Sequence, residues 1–212
     1  MSWVEEERQA LAASFRAADP DAATLCAGWT TRHLCAHLVQ RDHAALGNVW
    51  DQLTTRSPGE ERFMGRLVDA ARTPQGYADL VDRFAAGPGR HSLMRRFDAG
   101  LNLVEYAIHH EDLRRGSGPG APRELPAGES EELWRRARLI LRTGYRKSPV
   151  GVVLAPDAGA ARRVKNGPRT VTLTGSPLEL VLHAAGRRTA ADVKVDGAAQ
   201  DVKSFTDWAA QR

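Results

Sequence analysis

Apolar residues recur through the first half of the chain at helical spacing. Val4, Leu11, Phe15 and Ala18 stand at i, i+7, i+11 and i+14, one face of a helix. Asp19-Pro20 ends that run, because proline supplies no backbone donor to extend it. Thr30 is placed to N-cap a second helix over about residues 31–53, which carries Leu34, His37, Leu38, Arg41, Ala45 and Val49. Phe63, Met64, Leu67, Val68 and Ala71 form a third stripe. Thr73-Pro74 then fits an N-cap with proline in the first turn, and Tyr77, Leu80, Val81 and Phe84 continue to a stop at Gly87-Pro88-Gly89. A further helix is predicted from Leu93 or Asp98 to Arg115.

The pattern changes after a Gly- and Pro-rich stretch at residues 116–128. One more helix is predicted over 129–147, with Leu133, Trp134, Ala137, Ile140 and Leu141 on one face, before Ser148-Pro149. Short β-branched runs follow at 150–154, 161–165 and 171–174, the second turning at Asn166-Gly167. Ser176-Pro177-Leu178-Glu179 matches a capping box that opens a helix to about Ala185. A strand at 192–195 and an amphipathic helix at 198–210 complete the order β-β-β-α-β-α. The expectation is an α+β protein: a helical bundle over 1–148, then a small α+β domain over 149–212.

At 212 residues the chain is long enough to bury a substantial core. The longest apolar run, Leu178 to Ala185, is interrupted by Glu179 and His183, so no segment spans a bilayer. The start, Met-Ser-Trp-Val-Glu-Glu-Glu-Arg, has no apolar signal-peptide core, and a cytoplasmic protein is expected. The net charge of +4 comes from 30 basic residues scattered among 26 acids. Interspersed charge describes a solvated surface rather than a nucleic-acid-binding face, so neither nucleic acid nor membrane is an expected partner. Cys26 and Cys35 form no CxxC pair and read as small buried apolar residues.

Residues 101–113 carry the chemistry. At about 100° per residue, Asp112, Glu105, His109 and Asn102 fall within an arc of about 20° to 100° measured from Leu101. The rest of that helix is almost entirely apolar, so the stripe is expected to be buried, and buried polar groups need partners. Glu105 and His109 stand at i, i+4 and can share one partner. One carboxylate oxygen and one imidazole nitrogen suit zinc or another first-row divalent metal, and His37 on the second helix is the candidate third ligand. His33 competes with His37, while His110 points about 100° away from His109 and reads as a supporting or surface residue. His43, His91 and His183 offer no ligand spacing.

The segment Leu25-Cys-Ala-Gly-Trp-Thr-Thr-Arg-His-Leu-Cys-Ala-His37-Leu-Val resembles the first motif of the mycothiol-dependent maleylpyruvate isomerase N-terminal family. That family lies within the DinB-like group of metal-binding four-helix bundles. Glu105-Tyr-Ala-Ile-His109-His-Glu-Asp-Leu resembles its second motif. The resemblance implies that His37, Glu105 and His109 hold the metal, and that the C-terminal domain is sterol-carrier-like. It looks nearer to actinobacterial metal-binding members than to the isomerase itself.

Three protein ligands leave an open coordination position. One expectation is therefore a metal-dependent transferase or isomerase, with zinc first and nickel, manganese or iron as alternatives. It would use a low-molecular-weight thiol such as mycothiol as co-substrate against a small electrophile. Arg41, Arg187 and Arg188 are candidates for holding anionic groups, and Asp112 for a base or for orienting a histidine. The rival is a non-catalytic, metal-containing binding module for a small apolar ligand or a protein partner.

Overall fold

The structure, a computed structural model, describes residues 2–43, 62–88, 99–118 and 120–211. The expected extension of the second helix to Leu53, the expected helix start between Leu93 and Asp98, and His91 lie outside these residues. The class is α+β, a helical unit followed by a unit containing a four-stranded sheet. Packing divides the chain into Met1–Gly120 and Ala121–Arg212. Among the described residues, no helix is long and apolar enough to cross a membrane.

The described helices of the first unit are α1 (Trp3–Ala17), α2 (Thr31–His43), α3 (Arg62–Ala70), α4 (Pro74–Ala86) and α5 (Ala99–Arg115). Thr73 caps α4 as its sequence predicts, its hydroxyl accepting from the Gly76 N–H at 3.1 Å. Gly87 ends that helix with a φ of 68°, a conformation glycine adopts without a Cβ clash. Leu11 and Phe15 of α1, Leu34 and Leu38 of α2, Phe84 of α4 and Tyr106 of α5 are fully buried in one core. Phe84 meets Phe15 and Tyr106 edge-on, with ring centroids 5.7 and 5.5 Å apart.

Helix α5 is enclosed on nearly every side, since Leu103, Tyr106 and Ala107 are fully buried and Val104 and Ile108 nearly so. Its polar groups must therefore find partners inside the unit. His110, expected as a supporting or surface residue, is buried beneath α1. Its Nδ1 lies 2.9 Å from Glu7 Oε1 and its Nε2 2.8 Å from Ser14 Oγ, so it joins α5 to α1. Tyr106 donates to the buried Asp42 carboxylate at 2.9 Å, which joins α5 to α2.

The second unit contains α6 (Ala127–Arg136), α7 (Arg138–Gly144), β1 (Gly151–Pro156), β2 (Arg162–Lys165), β3 (Thr170–Gly175), α8 (Pro177–Ala184), β4 (Lys194–Asp196) and α9 (Ala199–Ala210). The expected boundary after residue 148 falls instead after Gly120, because α6 and α7 pack against α8. The single helix expected over 129–147 is broken at Ala137, whose ψ of 3° leaves the helical region. The strand order is β2-β1-β3-β4, with β1 and β3 parallel. Asn166-Gly167 therefore makes no β2–β3 hairpin. Burial explains the arrangement: Val152, Leu154, Val171 and Leu173 are all fully buried. Placing β1 and β3 at the centre covers them and leaves the Arg- and Lys-rich β2 at an edge.

Tyr145, His183 and Phe205 stack in the core of this unit. The Tyr145 hydroxyl lies 2.8 Å from His183 Nδ1. Burial, with Arg188 nearby, pulls the His183 pKa down to about 4. Against an unfolded value of about 6.5, folding favours the neutral ring. That contribution is complete above about pH 6.5 and is lost as pH falls towards 4, to the order of 3 kcal/mol. Urea midpoints of the wild type should therefore drop between pH 7 and pH 4.5, and those of His183→Gln should drop measurably less.

Candidate metal centre

Two helices and one loop build the site. Thr30 precedes α2 and its carbonyl accepts the first helical bond, from Leu34 N at 3.0 Å. Its hydroxyl lies 2.9 Å from His33 Nδ1, which draws His33 to the start of the helix. His37, one turn later, faces α5 instead. Its ring lies edge-on to that of His109, with centroids 5.2 Å apart. On α5, Glu105 Oε2 lies 3.4 Å from His109 Nε2, as the i, i+4 spacing predicts. The candidate ligand atoms of His37, Glu105 and His109 all lie within 4.8 Å of one another.

The other face of His109 is fixed. Its Nδ1 lies 2.8 Å from Oδ2 of Asp112, a residue with no exposed surface. A proton on Nδ1 directs the Nε2 lone pair towards Glu105 and His37, the tautomer a metal-ligating imidazole needs. Two imidazoles and a carboxylate are a donor set suited to zinc and its neighbours. In a tetrahedral zinc site with bonds of about 2.0–2.1 Å, donor atoms stand roughly 3.3 Å apart. Modest side-chain adjustment brings these three to that spacing, so the residues fit a divalent cation.

The charges reinforce one another. Burial works against the charged form of His109, but hydrogen bonds to Asp112, Cys26 and Glu105 outweigh it and hold the imidazolium well above its usual range. Partial burial opposes the Glu105 carboxylate too, yet His109, Arg41 and His37 draw its pKa down to about 2. Arg41 Nε stands 4.0 Å from Glu105 Oε2. The same guanidinium donates to Asn102 Oδ1 and lies 3.9 Å from Asp42. All four members of the predicted stripe, Asn102, Glu105, His109 and Asp112, are thus partnered within one network.

The structure brings Arg41 and Asp112 to the site. Arg187 and Arg188 belong to the C-terminal unit, where Arg187 donates to the Ala185 carbonyl at 2.8 Å and Arg188 lies 4.2 Å over the Trp208 ring. His43 stands 3.4 Å from the Arg83 carbonyl. Cys35 is the buried apolar residue expected, and burial pushes its thiol pKa up. Cys26 departs from expectation. Its Sγ donates to Asp112 Oδ2 at 3.2 Å, and Cys26, His109 and Asp112 form a second group of closely spaced donors. Helical periodicity could not place it, because Cys26 lies in the loop between α1 and α2. Trp29 of that loop lies against His37, ring centroids 5.0 Å apart.

Backbone contacts hold the loop on α5. Leu25 N donates to the Asp112 carbonyl at 3.0 Å. At the end of α5, a Cβ on Gly116 would lie 2.2 Å from the Ala23 carbonyl oxygen, so only glycine allows the approach.

Residues 4–140 match the family model of the mycothiol maleylpyruvate isomerase N-terminal domain. The match runs past Gly120 into α7. No curated protein matches the chain in sequence. Among solved structures, a histidine-to-alanine mutant of the mycothiol-dependent maleylpyruvate isomerase aligns over 92% of this chain and 90% of its own. The TM-score is 0.61 and the sequence identity 18%, a likeness of fold.

In the metal-free protein, His109 should titrate well above 6.5 by NMR. A raised folded value contributes stability that is complete below the unfolded pKa of about 6.5 and is lost as pH rises through the folded one. Unfolding midpoints should decline over that higher range, and Asp112→Asn should remove most of the decline.

Proposed function

The chain belongs to the mycothiol maleylpyruvate isomerase N-terminal domain family, and on that premise we propose that it is a divalent-metal-dependent transferase or isomerase. Its co-substrate would be a low-molecular-weight thiol of the mycothiol type, acting on a small electrophile. The observation that carries this reading is the convergence of His37, Glu105 and His109, with donor atoms within 4.8 Å and His109 held from behind by Asp112. These three side chains would hold the cation, zinc first and nickel, manganese or iron as alternatives. When bound, such a cation favours the thiolate form of a thiol, a stronger nucleophile than the thiol itself.

The chain's own residues prepare that chemistry. Glu105, a carboxylate throughout the neutral range, offsets part of a cation's charge. Arg41 holds Glu105 from one side and adds positive charge near the site, which favours an electrophile bearing a carboxylate. Asp112 is fully buried and bonded to both His109 and Cys26, a setting that suits an orienting partner better than a base. Trp29 supplies an aromatic wall beside His37.

A second reading, a non-catalytic metal-containing binding module, draws on a cavity of about 870 Å³ in the C-terminal unit. Trp134, Leu125 and Leu178 line it, together with Glu131 and Asp157. Its volume is that of a small-molecule site.

Elemental analysis should find about one divalent metal per chain in the wild type. After dialysis it should find almost none in His37→Ala, Glu105→Ala or His109→Ala. Thiol-dependent turnover of a carboxylate-bearing electrophile should vanish in Glu105→Ala. Stoichiometric metal with no turnover under any thiol would favour the binding module, and a wild type that takes up no divalent metal would end both readings.

A further inference from the structure

We propose that Cys26 is a positioning residue of the centre, acting on His109 through Asp112 without binding the cation itself. The inference rests on the metal-centre reading given above and adds a member that helical spacing could not supply.

The geometry is a relay through Asp112, with the hydrogen bond between Cys26 and His109 running alongside it. Asp112 Oδ2 receives the Cys26 thiol at 3.2 Å and His109 Nδ1 at 2.8 Å on the same oxygen. Asp112 has no exposed surface, so donors within the protein must compensate its charge, and each lost donor leaves a buried carboxylate less satisfied. The carboxylate in turn fixes which His109 nitrogen carries the proton and where the ring points. Removing the thiol frees Asp112 to turn away from the imidazole.

The thiol is itself rigidly presented. Leu25 and Cys26 grip one residue from two sides, the Leu25 N–H on the Asp112 carbonyl and the Cys26 thiol on its carboxylate. Cys26 N donates to Thr24 Oγ1 at 3.2 Å, and Trp29 N donates to the Cys26 carbonyl at 2.9 Å. One loop therefore sets both histidines, His109 through Cys26 and Asp112, and His37 through Trp29.

The alternative role for Cys26 is a direct ligand, in the group it forms with His109 and Asp112. The relay places both protons on the Asp112 oxygen that would otherwise share that cation. A relay also tolerates a hydroxyl donor, whereas a thiolate ligand does not.

The test compares wild type, Cys26→Ser, Cys26→Ala, Asp112→Asn and the Cys26→Ala/Asp112→Asn double variant. Zinc affinity is read by competition with a chromogenic chelator, and the optical spectrum is read after cobalt(II) loading. Melting of the metal-free forms checks that each variant folds. Cys26→Ala and Asp112→Asn should each weaken zinc binding about 10- to 100-fold, the usual effect of removing a partner behind a ligand. Cys26→Ser should restore affinity to within a few-fold of wild type. The double variant should be little worse than either single one, since both act through one path. Wild-type cobalt protein should show no thiolate-to-metal charge-transfer band.

Such a band, lost in Cys26→Ser, would make Cys26 a ligand and overturn the proposal. So would Cys26→Ala binding zinc as wild type does, or losses that add in the double variant. His37→Ala and Glu105→Ala serve as controls: wild-type affinity in both would overturn the metal-centre reading itself. In that event the His109 ring-nitrogen NMR shifts of the metal-free protein still report on Cys26. They should move in Cys26→Ala and stay put in Cys26→Ser, and no movement in Cys26→Ala would overturn the relay on its own.

Discussion

A buried carboxylate without access to water governs the candidate centre. Asp112 sits on a helix enclosed by its own unit, and its charge is stable there only while surrounding donors face it. Two of those donors, His109 and Cys26, come from α5 itself and from the α1–α2 loop. The orientation of His109, the seating of the α1–α2 loop and the direction in which the imidazole lone pair points all follow from satisfying that one group.

The same requirement organises the rest of α5. Most of its described side chains are buried, and several of the polar ones tie the helix to a neighbour. His110 reaches Glu7 and Ser14 on α1, Tyr106 reaches Asp42 on α2, and Asn102 receives Arg41. These ties cost desolvation and return specificity of placement, because each bond is made in only one packing of the helices. A centre assembled from two helices needs such placement, since a displacement of about 1 Å is enough to impair catalysis. The C-terminal unit relies on different means: a parallel pair of apolar strands at the sheet's centre and an aromatic stack around His183.

Much of this was legible in the sequence. The 3.6-residue period of apolar positions marked the helices, and Thr73-Pro74 and Ser176-Pro177 marked two of their starts. The polar stripe on an otherwise apolar helix singled out Asn102, Glu105, His109 and Asp112, because burial makes polar residues conspicuous. The place of His37 beside Leu34 and Leu38 made it a candidate partner for that stripe, and the family resemblance singled it out from His33. Each of these is a local property, set by which side of a helix a residue occupies, and sequence spacing reports that directly.

What spacing does not report is which surfaces meet. Only the folded chain showed that α6 and α7 pack with α8, and that β3 lies beside β1 rather than in a hairpin with β2. It also placed His110 inside against α1, and brought Cys26 from a loop to within 3.2 Å of Asp112, 86 residues further along the chain. These depend on long-range packing, in which the burial of Val152, Leu154, Val171 and Leu173 or the satisfaction of Asp112 is decided by the whole unit. The sequence determined which side chains had chemistry to offer and on which helix face they stood. The tertiary structure decided which of them touch, because contact energies between distant segments are not encoded in the local period of either one.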